Sequence, residues 1–257
     1  MQRDLSNSEL KDEAAMENPS YIALSKQTAL QRQMSVIANN LANMNTSGYK
    51  AERMVFREYV SKPSQTETLS FVQDFGLARD LTEGTTTVTS NTLDLAISGP
   101  GYFSVETENG ERYTRHGRFQ LNETGQLVTG QGDIVLSNNG APITVPPGSG
   151  ALTIGSDGSI DGVNGFIGRI GLVEFENERN LKRAENNLYE AKDERPDPAA
   201  RSSMLQGSLE ASNVQPILEM TRMIQVHRSY RATQNFMKTE HDKILRAINT
   251  IGRTQQG

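Results

Sequence analysis

The sequence predicts an α+β fold with a mainly β centre, in which a long helix at each end of the chain flanks an antiparallel β domain. Apolar residues recur at spacings of three and four in both terminal segments, which is typical of one face of a helix. Between about 93 and 190, short alternating runs are bounded by Gly, Asn and Pro, as in strands and hairpins. Because each helix carries only a narrow apolar stripe, we expect the two to pair as a coiled-coil-like rod.

The first helix is predicted over residues 16–47. Asn18 is a good N-cap, and Pro19 is tolerated as a first helical residue. Gly48 ends the helix, because glycine readily takes the left-handed conformation that follows a last turn. Residues 1–15 are polar and mixed in charge, so we expect a disordered tail or a misassigned start. The apolar stripe of this helix contains Ala23, Leu30, Met34, Ile37, Leu41 and Met44.

The middle of the chain divides into three predicted parts. Residues 48–92 have weak periodicity and a Ser/Thr/Gln run, which indicates an extended connector. The β domain covers 93–190, with its clearest turns at Asn138-Asn139-Gly140 and Ser156-Asp157-Gly158. A polar, proline-containing stretch over 191–212 is predicted to be the connector that returns from this domain.

The last helix is predicted over residues 213–253. Ser212 or Asn213 can cap it, and Pro216 is tolerated in a first turn. A helix of this length would be about 55 Å long, at 1.5 Å per residue, and so narrow a stripe makes it marginal without a partner. Its apolar stripe contains Met220, Met223, Val226, Tyr230, Thr233, Met237, Ile244, Ile248 and Ile251.

Composition excludes several classes of protein. Cysteine is absent, which rules out disulfides, zinc fingers and thiolate catalysis, and suits a chain that stays unfolded during export. No apolar run is long enough to span a bilayer, and the first residues lack the apolar core of a signal peptide. The net charge of −5 is uneven: about +2 over 16–60, about −9 over 61–216 and about +4 over 217–253. Opposite charges on different faces could assist docking between subunits, or could simply solvate exposed surfaces.

No catalytic, cofactor-binding or metal-binding constellation is present in the sequence. His227 and His241 would lie about 21 Å apart on one helix, too far to share an ion. No phosphate-binding or dinucleotide-binding glycine motif occurs, and Asp157 to Gly162 lacks the further ligands of a calcium loop. The basic last helix could suit nucleic acid, but the sequence pI of about 5.4 and the lack of an aromatic platform argue against it.

Three blocks of residues carry a resemblance to a known family. The first two are Ala38-Asn39-Asn40-Leu41-Ala42-Asn43 with Thr46, Gly48, Tyr49 and Lys50, and Leu93 to Gly99 with Gly101-Tyr102-Phe103 and Tyr113-Thr114-Arg115 through Val128. The third is Gly207 to Val214 with Met223-Ile224-Gln225 and Arg228-Ser229-Tyr230.

These blocks resemble the flagellar basal-body rod family, over about residues 16–251. The resemblance implies a structural axial subunit of the bacterial flagellar rod, part of the drive shaft that crosses the cell envelope. It also implies assembly with copies of itself and other rod proteins, export by the flagellar type III apparatus without a cleaved signal, and no direct membrane insertion. The segments Asn213 to Pro216 and Val226 to Arg231 favour the proximal rod type over the distal type.

An assembly interface on the terminal helices follows from this expectation. We hypothesise that the amides of Asn39, Asn40 and Asn43 make buried hydrogen bonds that fix the register between neighbouring helices, although they could merely terminate and solvate the helix. The expected interface residues are Leu30, Met34, Ile37, Asn39, Asn40, Leu41, Asn43, Met220, Met223, Val226, Tyr230, Met237, Ile244 and Ile248.

A second class of function stays open at this point. The chain could be a soluble module whose β domain binds a ligand and whose helices form only a dimerisation stalk. An enzyme ranks below both, because no set of residues supplies its chemistry.

Overall fold

The computed structural model describes residues 6–61, 69–192 and 194–254, with side chains described over 21–56, 76–192 and 194–250. The chain forms two units. A helical unit contains Met1–Leu41, Glu52–Ala78 and Pro216–Gly257, and a β unit contains Ala42–Ala51 and Arg79–Gln215. A β-rich centre between two long terminal helices was predicted, and this part of the prediction is confirmed.

The helical unit contains α1 (Ser6–Ala42), the strands β1 (Glu52–Ser61) and β2 (Leu69–Arg79), which pair with each other, and α2 (Pro216–Thr254). Hydrogen bonds join the two helices. The Asn40 Nδ2 donates to Glu219 Oε2 at 3.3 Å, and the Gln27 Nε2 donates to the Tyr230 hydroxyl at 3.0 Å. Later residues of α1 therefore meet earlier residues of α2, so the helices run in opposite directions.

The boundaries of α1 differ from those predicted. The helix begins at Ser6, ahead of Asn18, and Pro19 lies inside it. Residues 6–17 are rich in Glu, Ala, Leu and Lys, which favour helix, and this explains why the expected tail is helical from Ser6 onward. The first five residues of that expected tail lie outside the described part of the chain.

Regular structure also replaces both predicted connectors. The segment 48–92 contains β1, β2 and a third strand, β3 (Thr86–Val88), and the segment 191–212 contains three more strands. The strand β3 is not evident from local sequence, because it pairs with the last strand, Ser208–Glu210, more than a hundred positions later in the chain.

The β unit is built from antiparallel pairs. A nine-stranded sheet contains the order β14-β15-β6-β5-β9-β8-β7, with β13 paired to β5 and β16 paired to β13. The strands β10, β11 and β12 form a second sheet, β4 pairs with β17, and β3 pairs with β18. The remaining strands are β4 (Leu95–Ser98), β5 (Tyr102–Thr107), β6 (Gly110–Thr114), β7 (Phe119–Leu121), β8 (Leu127–Thr129), β9 (Ile134–Val135), β10 (Thr153–Ile154), β11 (Ser159–Gly162), β12 (Gly165–Arg169), β13 (Leu172–Glu174), β14 (Lys182–Arg183), β15 (Tyr189–Glu190), β16 (Asp197–Pro198), β17 (Ser203–Gln206) and β18 (Ser208–Glu210). Two short 3-10 helices cover Glu178–Asn180 and Glu185–Asn187.

Apolar side chains from several of these strands fill one core. Phe103 and Val105 of β5 are fully buried, and Phe103 meets Phe119 edge-to-face with ring centroids 5.0 Å apart. The predicted turns are confirmed, since Gly140 and Gly158 both have positive φ, at +77° and +83°.

Candidate assembly site

A buried ionic cluster in the β unit joins segments that lie far apart in sequence. The Lys50 Nζ donates to Glu210 Oε1 at 2.7 Å, and the Arg115 Nε donates to Glu210 Oε2 at 2.8 Å. All three side chains are 2% exposed or less. A buried cluster of this kind demands full hydrogen bonding, since an unpaired charge away from water is costly.

The surrounding backbone completes that bonding. Lys50 Nζ also donates to the Thr82 carbonyl at 2.8 Å, and the Gly84 N–H donates to Glu210 Oε1 at 2.9 Å. The Arg115 guanidinium donates to the Gly101 carbonyl at 2.9 Å. The cluster therefore holds together the loop before β1, the segment between β2 and β3, and the last strand, β18.

The pKa values of the cluster reflect burial and mutual charge. Burial, and then the Arg115 cation, lower the pKa of Lys50, although Glu210 opposes the change. Burial alone would raise the pKa of Glu210, but Arg115 and Lys50 outweigh it and hold that pKa below its usual value. Glu210 is thus kept ionised between two cations.

Gly48 makes a close backbone approach beside this cluster. Its N–H donates to the Glu210 carbonyl at 2.8 Å, and its φ is +67°, as predicted for the left-handed end of the first helix segment. A Cβ atom at this position would lie 2.4 Å from the backbone carbon and oxygen of Arg115. Only glycine satisfies both the conformation and the contact.

Tyr49 and Asn213 extend the junction on either side of Lys50. Arg183 lies over the Tyr49 ring, 4.3 Å from its centroid, and donates to the Tyr49 hydroxyl at 2.9 Å. Asn213 Oδ1 accepts from the Ala51 N–H at 2.7 Å, while its Nδ2 donates to the carbonyls of Asp80 and Thr82 at 2.9 Å each. Asn213 is therefore a bridge within the β unit, and α2 begins three residues later at Pro216, which corrects the predicted cap.

Each of the three charged residues of this junction lies in one of the sequence blocks that carry the family resemblance. Lys50, Arg115 and Glu210 were absent from the expected interface residues. Alternation along a strand would place Glu210 on the face opposite to Leu209 and Ala211, so this pattern does not predict the burial of its carboxylate. Nothing local in the sequence indicated that the three charges meet.

In the helical unit, Asn40 makes the best-defined polar contacts of the three predicted asparagines. Its Nδ2 donates to the Glu52 carbonyl at 2.8 Å, and its Oδ1 accepts from the Glu52 N–H at 3.0 Å. The side chain is buried and pairs with β1 much as a neighbouring strand would, while also reaching Glu219. These bonds lie within one chain, so a role of Asn40 in the register between neighbouring helices stays a prediction.

Asn39 and Asn43 have different surroundings. Asn39 is exposed on α1. Asn43 lies in the β unit just beyond the end of α1, where its Oδ1 accepts from the Thr46 hydroxyl at 3.2 Å. The Thr46 N–H also donates to the Asn43 carbonyl at 3.1 Å, so Asn43 opens the turn that follows α1.

The apolar residues predicted for the interface fall into two groups. Some face the interior of the helical unit, wholly or in part, and others are exposed. The less exposed group contains Leu30, Met34, Ile37, Leu41, Met223, Val226, Tyr230 and Met237, and the exposed group contains Met220, Ile244 and Ile248. Their contact with another molecule stays a prediction, and the side chain of Ile251 lies outside the described residues.

The described residues show no grouping of three or more His, Asp or Glu side chains that could hold a metal ion. His116 is largely buried, and burial together with the Arg118 cation lowers its pKa. Over the same described part of the chain, neither helix combines the length and the apolar character needed to cross a membrane.

Comparison with known proteins identifies the family. The family model described as "Flagella basal body rod protein" matches residues 21–50, that of the "Flagellar hook protein FlgE/F/G D1 domain" matches 96–162, and that of the "Flagellar basal body rod FlgEFG protein C-terminal" matches 205–251.

Individual relatives cover almost the whole chain. The flagellar basal-body rod protein FlgF of Caulobacter vibrioides is 39% identical over 243 residues, which cover 93% of this chain and 99% of the relative. FlgF of Mesorhizobium japonicum is 37% identical, over 92% of this chain and 99% of the relative. FlgG of Bacillus subtilis is 33% identical, over 91% of this chain and 98% of the relative. The chain therefore belongs to the flagellar basal-body rod protein family.

Proposed function

We propose that this chain is a structural, non-enzymatic subunit of the bacterial flagellar rod, located in the basal body. The family supports this role, and one structural observation carries it: α2 keeps several large apolar side chains exposed along its length, including Ile217, Ile224 and Ile248. Such residues on a long terminal helix favour contacts with further subunits. The higher identity to the FlgF relatives reported above than to the FlgG relative supports the proximal position in the rod.

Within each subunit, α1 and α2 form a coiled-coil-like pair. The hydrogen bonds from Asn40 to Glu219 and from Gln27 to Tyr230 support this arrangement, as does the burial of Ile37 and Val226 on the two helices. Pairing buries one stripe of each helix and leaves the opposite stripe of each available to neighbours.

Assembly then proceeds by burial of those remaining stripes. Each buried methylene contributes about 0.8 kcal/mol, while ordering a helix costs conformational entropy at every residue. A growing rod tip already presents ordered partners, so addition there is favoured over association of free chains. A head-to-tail contact that does not close on itself produces an open filament.

The same role places the chain on the flagellar export route. The absence of cysteine suits passage of an unfolded chain, and the apparatus for such passage is the flagellar type III system. Neighbouring rod proteins and further copies of this chain are its partners, in the rod that crosses the periplasm.

Isolation of hook–basal bodies from a strain that lacks the gene and carries a tagged copy tests this proposal. We expect the tagged chain to restore motility and to co-purify with the basal bodies. A Gln120→Ala variant, changed at an exposed position of β7, serves as the control and should behave identically. Full motility without the gene, together with absence of the chain from basal bodies, would refute the proposal.

A further inference from the structure

Each helix of the helical unit presents a second stripe on its outer face. On α2, Ile217, Met220 and Ile224 are spaced three and four residues apart and are 75%, 46% and 54% exposed. This spacing puts them on one side of the helix. They form what we term the large stripe.

The matching face of α1 is lined mainly by small or unbranched polar residues. Its members are spaced three, four and three residues apart, which is the spacing of a coiled-coil seam. All are exposed, and together they form what we term the small stripe: Thr28, Gln31, Ser35 and Ala38.

Among the residues whose side chains are described in this unit, the buried positions of both helices lie away from the two stripes. The buried residues Ile37 and Asn40 lie on the other side of α1 from the small stripe, and the buried Val226 and Thr233 lie on the other side of α2 from the large stripe. Each chain therefore exposes both halves of a contact that it cannot make with itself.

The levels of the two stripes also match. The bonds from Asn40 to Glu219 and from Gln27 to Tyr230 set the register of the antiparallel helices. In that register Met220 lies at about the level of Ala38, and Ile224 at about the level of Ser35. A neighbour placed alongside at the same height would set large apolar side chains against small ones, which allows a close approach of the helices.

We propose that the large stripe of one copy packs against the small stripe of a second copy, with Met220 facing Ala38 and Ile224 facing Ser35. This inference rests on the proposed function and assigns the faces through which copies meet. The contact joins two different surfaces, so it propagates from copy to copy. Three apolar side chains bury far less area than a stable dimer needs, so the contact forms in the rod and not between free chains.

Cysteine cross-linking tests this pairing directly, because the native chain contains no cysteine. Two differently tagged chains are co-expressed, one carrying Ile224→Cys and the other Ser35→Cys, and basal bodies are isolated and oxidised. We expect a disulfide-linked dimer that contains both tags, since packed side chains bring Cβ atoms within about 4.5 Å. Met220→Cys with Ala38→Cys is the second pair and should give the same product.

The matched control replaces Ile224→Cys with Gln225→Cys. Gln225 is the next residue on α2 and is also exposed, but it points about 100° away from the large stripe. Only background dimer is expected from Gln225→Cys with Ser35→Cys. If the stripe variants fold but fail to enter basal bodies while Gln225→Cys enters, the stripe is required for assembly and the inference is supported.

The outcomes separate this inference from the proposed function. If the chains enter basal bodies but neither stripe pair cross-links, or the control cross-links equally well, the pairing is wrong while the rod role stands. If even the unsubstituted chain is missing from basal bodies, the proposed function itself fails.

Discussion

The Lys50 ammonium lies 2.7 Å from the Glu210 carboxylate, although 160 residues separate the two in sequence. Lys50 follows the first helix, and Glu210 precedes the last. Their contact is buried and shared with Arg115, so one ionic junction joins the segment around Lys50 to the last strand of the β unit. Stability of the β unit therefore depends on residues near both of its ends.

Replacing Glu210→Gln should destabilise the β unit strongly. The substitution leaves the Lys50 and Arg115 cations buried without their counter-charge, which should lower the free energy of unfolding by about 3–5 kcal/mol. Urea unfolding of the purified chain, monitored by a probe in the β unit, measures the change. The control is Arg201→Gln, which removes an exposed ion pair to Glu174 and should cost about 1 kcal/mol or less. Equal effects of the two substitutions would contradict the role given to the junction.

Stability should fall as the solution is acidified. The pKa of His116 lies below its usual 6.5 and that of Glu210 below its usual 4.5, so the unfolded chain binds more protons than the folded chain. The His116 contribution is lost below about pH 6.5 and that of Glu210 below about pH 4.5. Unfolding midpoints measured from pH 7 to pH 4 check this. A His116→Gln variant should show a flatter profile between pH 6.5 and 5, and an unchanged profile would contradict the assignment.

Gly48→Ala should destabilise the protein more than a glycine-to-alanine substitution at a position where φ is positive but the new Cβ has free space. Gly48 has φ of +67° and no room for a Cβ beside the Arg115 backbone. Gly110 has φ of +92°, but a Cβ there would meet nothing within 4 Å. We expect Gly110→Ala to cost about 1–2 kcal/mol and Gly48→Ala clearly more, measured by thermal unfolding. Similar shifts in Tm would show that the contact with Arg115 relaxes easily.

Asn40→Leu should loosen the start of β1. The variant removes the amide that bonds to the N–H and the carbonyl of Glu52, and it also removes the hydrogen bond to the Glu219 carboxylate. We expect the free energy of unfolding to fall by about 1–3 kcal/mol. Hydrogen exchange at the Glu52 amide should accelerate, and motility should decline. Asn39→Leu, at the exposed neighbouring position, is the comparison and should leave that amide protected. Unchanged rod assembly and motility with Asn40→Leu would also remove the register hypothesis.

The local sequence pattern was enough to predict the two terminal helices and the turns, because these elements depend on residues close together in the chain. The periodicity of Ile37, Leu41, Val226 and Tyr230 predicted two terminal helices, and glycines such as Gly48 predicted the turns. These features follow from backbone conformation and the spacing of apolar residues along a short stretch. They need no knowledge of distant partners.

Tertiary structure alone decided which distant groups meet. Three contacts join residues that are far apart in the chain. The strand β3 pairs with β18, Lys50 and Arg115 are buried around Glu210, and Asn213 bonds to Ala51 and does not cap α2. Charged residues are ordinarily exposed, so their identity did not predict burial; only the convergence of several strands supplied the partners that make it tolerable. In the same way, which face of each helix is buried and which is exposed depends on how α1 and α2 pack against each other, and local sequence does not specify this.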